Sequence, residues 1–347
     1  MGFKRLEADD FVVSAQAQTQ TCWTGNEPAL LSDSMFTQSN QINGQSGRYY
    51  TTVFNTSSGA PNFEAQFEIA YGQQNGGGAL AFNQTAAPNV SPASTIYGQY
   101  RTLVLEDENA QFVFGEVSQS SFYALSIERA RYKQALFPGS LNLTLSSSIS
   151  SNANKILQLT DNSKMVTVPL YYGTTRAYQI ISGSDGVAYN SGSGGLGYTT
   201  SEGSYGLFLP DIGTILLNTA ALDLDSEEGV NLGTNPSLNT PGNNPLRLLG
   251  PMQSGSGFAL NSEETITSDF VFVRARNSEF NYSENPSYIS GSTGEVIYNY
   301  FINNPQTYMT SIGLYNDSNE LLAVAKLSKP LNKDFTKEAL VRVKLDF

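Results

Sequence analysis

The chain of 347 residues contains no histidine and a single cysteine, Cys22. Histidine is the side chain that most often titrates near neutral pH, and it is the commonest metal ligand. Its absence excludes Ser-His-Asp and Cys-His relays and His-ligated zinc or iron, and one thiol cannot form a thiolate cage. One cysteine also excludes a disulfide within the chain. Two catalytic routes remain: a pair of carboxylates, or a Mg²⁺ or Ca²⁺ ion bound by oxygen atoms.

Charged residues are scarce, at 14% of the chain, against about 25% in an average globular protein. The formal net charge is −12, which argues against nucleic acid as a partner because such binding needs a basic surface. The first residues lack the apolar stretch of a signal peptide, and no apolar run approaches the roughly 18 residues that span a membrane. We therefore expect no nucleic-acid and no membrane partner, and folding in a reducing cytoplasm.

Aromatic residues are abundant, with 19 Tyr and 19 Phe. Disordered chains are poor in aromatics, so this chain folds. Few charges and many tyrosines are typical of surfaces that partners cover, but a generic β-rich protein has a similar composition, and composition alone leaves both open. The only cysteine and the only tryptophan are adjacent, at Cys22 and Trp23, and we expect both to serve packing.

Apolar and polar residues alternate at residues 63–71, 141–145 and 341–347. This period of two is typical of half-buried strands. The apolar runs 311–315 and 321–327 flank a polar cluster of turn formers, which predicts a hairpin.

Two further strands are predicted at residues 270–276 and 295–302, so the last ~90 residues form an antiparallel sheet of about five strands. The fold class predicted for the whole chain is mainly β. It consists of an antiparallel β-sandwich body with a smaller β-rich domain inserted and a few short helices.

Helical signals are weak. Residues 126–136 have good helix formers, although residues 122–127 fit the start of a strand equally well. Short helical turns are predicted near residues 219–224 and 334–339.

Two polar stretches are candidate boundaries: a Ser-rich linker at residues 146–154 and a long irregular loop at residues 229–251. We therefore divide the chain into three regions. They are an N-terminal β-rich region (1–150), an acidic middle domain that is possibly inserted (151–250), and a C-terminal antiparallel sheet that packs with the N-terminal region (251–347).

Charge is distributed unevenly along the chain. Residues 177–246 contain seven acidic residues and no Lys or Arg, whereas the last 22 residues contain six basic residues and three acidic ones. An acidic region and a basic region on the same chain can steer copies or partners into head-to-tail contact. An uneven scatter of solvated charge explains the same pattern, and both readings remain open.

The best metal candidate is the acidic cluster of Asp223, Asp225, Glu227 and Glu228. Ca²⁺ takes six to eight oxygen ligands, and neighbouring carboxylates can supply several of them. The spacing lacks the glycine and the distal Glu of an EF-hand loop. The cluster is therefore either an ion site or a solvated acidic loop.

Glycine-rich runs occur at residues 182–186 and 191–195, but no Lys-Ser/Thr follows them, so we read them as hairpin turns rather than phosphate loops. Carboxylate catalysis needs two acids in a cleft. Glu64 and Glu68 instead fall on the outward face of their strand. No catalytic, cofactor-binding or metal residue is assigned.

The C-terminal part of the sequence resembles virion structural proteins of large contractile-tailed phages, especially the T-even-like phages of cyanobacteria. Similar segments occur at residues 97–101 and 129–133. The resemblance covers about 100 residues well and the rest thinly, and it rests on these segments: FVRARN (272–277), EFNYS (279–283), NPQTY (304–308), IGLYN (312–316), NELLAVAKLSKP (319–330) and VKLDF (343–347).

Within that group the resemblance implies a tail baseplate component, most like the wedge subunit. It implies a mostly β fold with a second domain inserted into a β-sandwich, and a dimer that contacts other wedge proteins. It also implies no enzymatic activity and no cofactor. The expected function is therefore that of a structural component of the phage tail, located in the virion after assembly in the host cytoplasm. Its partners would be other baseplate or tail proteins and a second copy of itself.

Three alternatives remain. The first is a receptor-binding or fibre-attachment protein with a carbohydrate-facing tip, for which the loops 73–78 and 191–197 are suited. The second is a neck or head decoration protein. The third is a glycan hydrolase that uses two carboxylates.

Overall fold

A computed structural model describes residues 4–37, 50–78, 91–147, 155–189, 200–225, 228–235, 243–283 and 285–346. The chain divides into two compact units. The continuous unit is Gln18–Glu264, and the discontinuous unit combines Met1–Ala17 with Thr265–Phe347. These limits differ from the three regions of the sequence analysis, because strands on both sides of residue 150, and on both sides of residue 250, pair within one sheet.

The described residues are mainly antiparallel β with a few short helices, which confirms the predicted fold class. The helices are α1 (Pro92–Leu105), α2 (Thr219–Asp223), α3 (Asn243–Ser254) and α4 (Asn299–Asn303). The strands are β1 (Phe11–Thr21), β2 (Tyr50–Phe54), β3 (Ala65–Gln73), β4 (Phe112–Phe114), β5 (Val117–Gln119), β6 (Ser121–Ile127), β7 (Ala135–Leu136), β8 (Asn142–Ser146), β9 (Ile156–Asp161), β10 (Leu170–Tyr172), β11 (Thr175–Ser184), β12 (Val187–Ala188), β13 (Gly206–Leu209), β14 (Thr214–Asn218), β15 (Phe258–Ala259), β16 (Asn261–Ala275), β17 (Thr307–Tyr315), β18 (Leu321–Lys333) and β19 (Ala339–Asp346).

One long sheet forms the continuous unit, in the order β15-β8-β9-β11-β13-β14-β6-β3-β2, with β10 and β12 also paired to β11. The sheet curls until its two ends face each other, since the rings of Phe67 on β3 and Phe258 on β15 lie 5.6 Å apart. A connecting segment closes the gap between the ends. In it, Leu30 forms a bridge with Phe258, and Phe36 forms one with Phe54 on β2.

Successive side chains along each strand point to opposite faces of the sheet, and each face carries a hydrophobic core. On β6, Tyr123 and Leu125 point into the inner core, whereas Phe122 and Ala124 point into the outer core. Helix α3 adds Leu248, Leu249 and Met252 to the inner core, and α1 adds Tyr97 and Val104 to the outer core. The central strands are therefore buried on both faces, unlike the half-wet strands common in antiparallel sheets.

The helices begin where short polar side chains can cap them. Ser91 accepts the backbone N–H of Ser94 at the start of α1, and Pro92 fits the first turn. Asn218 accepts the backbone N–H of Ala220 at the start of α2, so the helical turn predicted near residues 219–224 is confirmed.

Three local predictions were wrong. Residues 243–251, assigned to a loop, belong to α3. Residues 126–136 form the end of β6, a single 3₁₀ turn and β7, which confirms the alternative of a strand over residues 122–127. Residues 334–338 form a turn closed by Asp334, whose carboxylate accepts the backbone N–H of Thr336, and residue 339 begins β19.

The strands predicted from alternation are confirmed as β3, β8, β16 and β19, and the predicted hairpin is β17–β18. Phe347 lies outside the described residues. The strand predicted at residues 295–302 was wrong, because residues 299–303 form α4. The described part of the C-terminal region holds five strands, β15 to β19, but they do not form one sheet. Strand β15 belongs to the long sheet, β16 and β19 pair in a sheet with β1, and β17 pairs with β18.

Candidate interaction surface

The discontinuous unit exposes half of its described large apolar side chains to solvent. Among its described residues the buried hydrophobic side chains are only Val271, Ala275, Phe301, Ala339 and Val343, and neither hydrophobic core includes a residue of this unit. Of the residues that the structure describes, seventeen large hydrophobic side chains are exposed in this unit and twelve in the continuous unit, which is more than twice as long. Soluble monomers rarely leave so much apolar surface uncovered, so this unit is the candidate interaction surface of the chain.

The hairpin β17–β18 has two different faces. On one face Ile312 lies opposite Ala325 and Leu314 opposite Ala323, and all four are half-buried. On the other face Gly313 lies opposite Val324, and a Cβ atom at Gly313 would be 2.8 Å from the Tyr315 ring. The ring of Tyr315 therefore rests over Gly313.

We call the following four exposed residues at the hairpin tip the hairpin surface: Tyr315, Leu321, Leu322 and Val324. The exposed fractions of Leu322 and Val324 are 68% and 62%. A two-stranded sheet with apolar side chains in water is marginally stable alone. A covering partner would remove this surface from water.

The two edges of the hairpin differ in chemistry. Within the described residues β17 pairs only with β18. Strand β18 carries Lys326, Lys329 and Pro330, which are the residues that blunt an edge against further pairing. The nine residues of β17 include no charge and no proline, so its free edge can accept another strand.

Lys333 fixes the base of the hairpin. Its side chain is fully buried, and Nζ donates to the carbonyl oxygens of Asn277 and Asp334 at 3.0 and 2.8 Å and to Oδ1 of Asn281 at 2.9 Å. The hydroxyl of Thr307 donates to the carbonyl of Phe280 at 2.8 Å. The hairpin is thereby attached to the loop at residues 277–281.

An aromatic group lies next to α4. The ring of Tyr288 is 5.3 Å from Phe301 and 6.2 Å from Tyr298. Tyr298 and Tyr300 remain 43% and 62% exposed. Tyrosine presents apolar area with one polar atom, which is the side chain most typical of interface centres.

The two units differ in charge. The discontinuous unit has ten basic and twelve acidic residues, a formal net charge of −2, whereas the continuous unit has nine and nineteen, a net charge of −10. Some of the C-terminal basic residues pair locally, as Lys337 does with Asp334 and Lys344 with Asp346. The discontinuous unit can therefore approach another acidic molecule with little repulsion.

The acidic cluster of the sequence analysis does not converge on one point. Oδ1 of Asp223 accepts the backbone N–H of Thr234 at 2.9 Å, and burial raises the pKa of this carboxyl. Oδ1 of Asp225 accepts an amide hydrogen of Asn231 at 3.0 Å. Glu227 lies outside the described residues. Within the described ranges, no three His, Cys, Asp or Glu residues are grouped to hold a metal ion.

Cys22 and Trp23 are both buried in the inner core. The Trp23 ring lies 4.9 Å from Phe258 and 6.3 Å from Phe67, between the two ends of the sheet. Their predicted packing role is confirmed.

The glycine-rich run at residues 182–186 forms the turn between β11 and β12, as predicted. The run at residues 191–195 lies outside the described residues. Glu64 is exposed and forms an ion pair with Arg131 at 2.7 Å. Glu68 is half-buried, and burial raises its pKa.

No family model, no curated protein and no solved structure matches the chain. In the portion that the structure describes, none of the helices combines the length and apolarity needed to cross a bilayer.

Proposed function

We propose that this chain is a structural component of a contractile phage tail, a baseplate wedge subunit that acts through protein–protein interfaces. It has no enzymatic activity and needs no cofactor or metal. It is assembled in the host cytoplasm and remains in the virion. The tail assignment rests on the resemblance of the segments between residues 272 and 347.

One observation carries the assembly role: the exposed apolar surface of the discontinuous unit, which has few buried apolar side chains of its own. The continuous unit has two closed cores and serves as a rigid support. Interfaces of this kind are built around exposed aromatic and aliphatic anchors that become buried on association.

The partners we propose are other baseplate or tail proteins, together with a second copy of the chain, with a dimer favoured. The discontinuous unit is nearly neutral, so two copies can meet there without opposing large charges. Neither nucleic acid nor a membrane is a partner.

Location in the particle tests the proposal. A tagged chain would be imaged in intact virions by gold labelling, and its copy number measured by quantitative mass spectrometry. We expect label at the tail baseplate and about six or twelve copies per particle, as a sixfold assembly requires. Label on the head, or hundreds of copies, would overturn the proposal in favour of a decoration protein.

A further inference from the structure

The continuous unit contains a cavity of about 280 Å³ beside the turn between β4 and β5. Its walls come from that turn, from the segment before β10 and from β11. Ligand pockets for drug-sized molecules begin near 300 Å³. The cavity is therefore the size for one small ring rather than for an extended chain.

Two buried amide side chains line this cavity, Asn162 and Gln179, each only 6% exposed. Their oxygen atoms are already engaged. Oε1 of Gln179 accepts the backbone N–H of Gly115 at 3.1 Å and the hydroxyl of Ser204 at 2.5 Å. Oδ1 of Asn162 accepts the backbone N–H of Gln179 at 3.0 Å.

These bonds identify the oxygen and the nitrogen of each side-chain amide, because a backbone N–H can only donate and must therefore face the oxygen. The NH₂ groups of Asn162 and Gln179 consequently form no hydrogen bond with the described residues, and neither nitrogen is sealed away from solvent. Buried polar groups are nearly always hydrogen-bonded. Two pre-oriented donor groups in one cavity therefore have no acceptor among the described residues and can donate to a ligand.

The remaining lining residues limit what the acceptor can be. Val166, Val168, Leu170 and Ala177 supply aliphatic walls, and Glu116 is an exposed carboxylate on the β4–β5 turn. An anionic ligand would be repelled by Glu116 and by the net charge of −10 on this unit. A ligand with acceptors alone would leave the carboxylate without a donor.

Hydroxyl groups meet both demands, since each can accept from an amide NH₂ group and donate to a carboxylate. The C–H surface of a sugar ring can pack on the aliphatic walls. We propose that this cavity binds a neutral, hydroxyl-rich ligand the size of a single sugar ring. This activity goes beyond the assembly role, and its test does not depend on the location of the chain in a particle.

The test is saturation-transfer NMR on the full chain with glucose, galactose, mannose and N-acetylglucosamine, each offered separately. We expect transfer to at least one of the four sugars. Val168 is 69% exposed, so Val168→Trp can cover the cavity mouth without entering a core, and it should abolish the transfer. Gln179→Glu keeps the acceptor oxygen and the shape but removes the donor group, and it should abolish the transfer as well.

The matched control is Val187→Trp, at a position that is 51% exposed and outside the cavity lining, and it should retain full transfer. Absence of transfer to all four sugars in the unmodified chain would overturn the proposal. So would transfer that survives Val168→Trp, because the sugar would then bind elsewhere. Equal transfer to 1,4-dioxane, a ring with acceptor oxygens and no hydroxyl, would overturn the choice of ligand class.

Discussion

The ring of Phe258 lies 5.6 Å from the ring of Phe67, in an edge-on arrangement, although their strands belong to opposite ends of the long sheet. This contact, with the Trp23 ring beside it, holds the curled sheet closed around the inner core. Both rings are fully buried.

Phe258→Ala should therefore destabilise the continuous unit by about 3–5 kcal/mol, the usual cost of removing a buried aromatic ring. Urea unfolding followed by tryptophan fluorescence measures this directly, because Trp23 packs on the deleted ring. Val187→Ala, at an exposed position, should change the free energy of unfolding by less than about 0.5 kcal/mol. A loss below 1 kcal/mol for Phe258→Ala would contradict the closure described here.

Cys22 provides a probe of the same core. Burial raises the pKa of its thiol to about 12, so the folded chain at pH 8 holds a roughly thousandfold smaller thiolate fraction than an exposed cysteine. We expect almost no reaction with a disulfide reagent until urea unfolds the chain, when one equivalent should react. Prompt labelling of the folded chain would show that this part of the core is open.

Lys333→Met should loosen the discontinuous unit, since three oxygen acceptors would lose their donor. We expect a loss of about 2 kcal/mol, within the range for leaving buried acceptors unpaired. Hydrogen exchange at the amides of β17 and β18 should speed up accordingly. Lys329→Met, at an exposed position on the same strand, is the matched control and should leave these exchange rates unchanged.

The turn at Asp334 makes the stability of the folded chain depend on pH. The hydroxyl and backbone N–H of Thr336, with Lys337, lower the pKa of Asp334 from an ordinary value near 3.8 to about 2. A carboxyl with a lowered pKa in the folded state contributes stability above pH 3.8, and this contribution is lost as the pH falls towards 2. Carboxyl NMR titration should give a midpoint near 2.

Thr336→Val removes the hydroxyl donor and keeps the backbone donor. The midpoint should then rise towards 3.8 without reaching it. A midpoint near 4 in the unmodified chain would contradict the hydrogen bonding described for this turn.

Introducing charged residues tests whether a partner covers the hairpin surface. Leu322→Asp combined with Val324→Asp places two carboxylates on an exposed apolar surface, so the isolated chain should keep its fold and stability. If partners cover this surface, burying the charges would cost several kcal/mol, and incorporation into particles should fall by at least tenfold. Val187→Asp, an exposed residue of the other unit, is the control. Normal incorporation of the double variant would exclude the hairpin surface from the interface.

Strands could be predicted wherever a period of two was strong. Strand β19 is the clearest case, with Val343 buried and its neighbours Arg342 and Lys344 exposed. The hairpin β17–β18 was predicted from its polar turn. The alternation of apolar and polar residues does not reveal whether both faces of a strand are buried, as on β6. It also does not reveal whether an apolar face stays exposed to solvent, as at Val324.

The errors have physical causes. Helix α3 was assigned to a loop because its sequence contains Asn, Gly and Pro, yet packing of Leu248 and Met252 in the inner core outweighs these poor propensities. Residues 295–302 are rich in β-branched and aromatic side chains, but no described strand pairs with them beyond the single bridge at Val296, and a short helix forms instead. Propensity without a partner does not make a strand.

The cavity residues had no distinguishing signal in the sequence. Asn162 and Gln179 are two of many amides in a chain rich in Asn and Gln. The pairing of β9 with β11 and the neighbouring turn shows that their oxygen atoms accept hydrogen bonds, while their NH₂ groups donate to none of the described residues.

Strand β1 is hydrogen-bonded to β16, although the two strands are far apart in the sequence. During translation, β1 is therefore synthesised long before the strand that pairs with it. At typical synthesis rates the roughly 240 residues between them take on the order of 10–50 s to emerge. The continuous unit is complete once Glu264 has emerged, whereas the discontinuous unit stays incomplete until β19 is made. The hairpin surface is therefore completed after the continuous unit, and any binding there would wait until the rest of the molecule is in place.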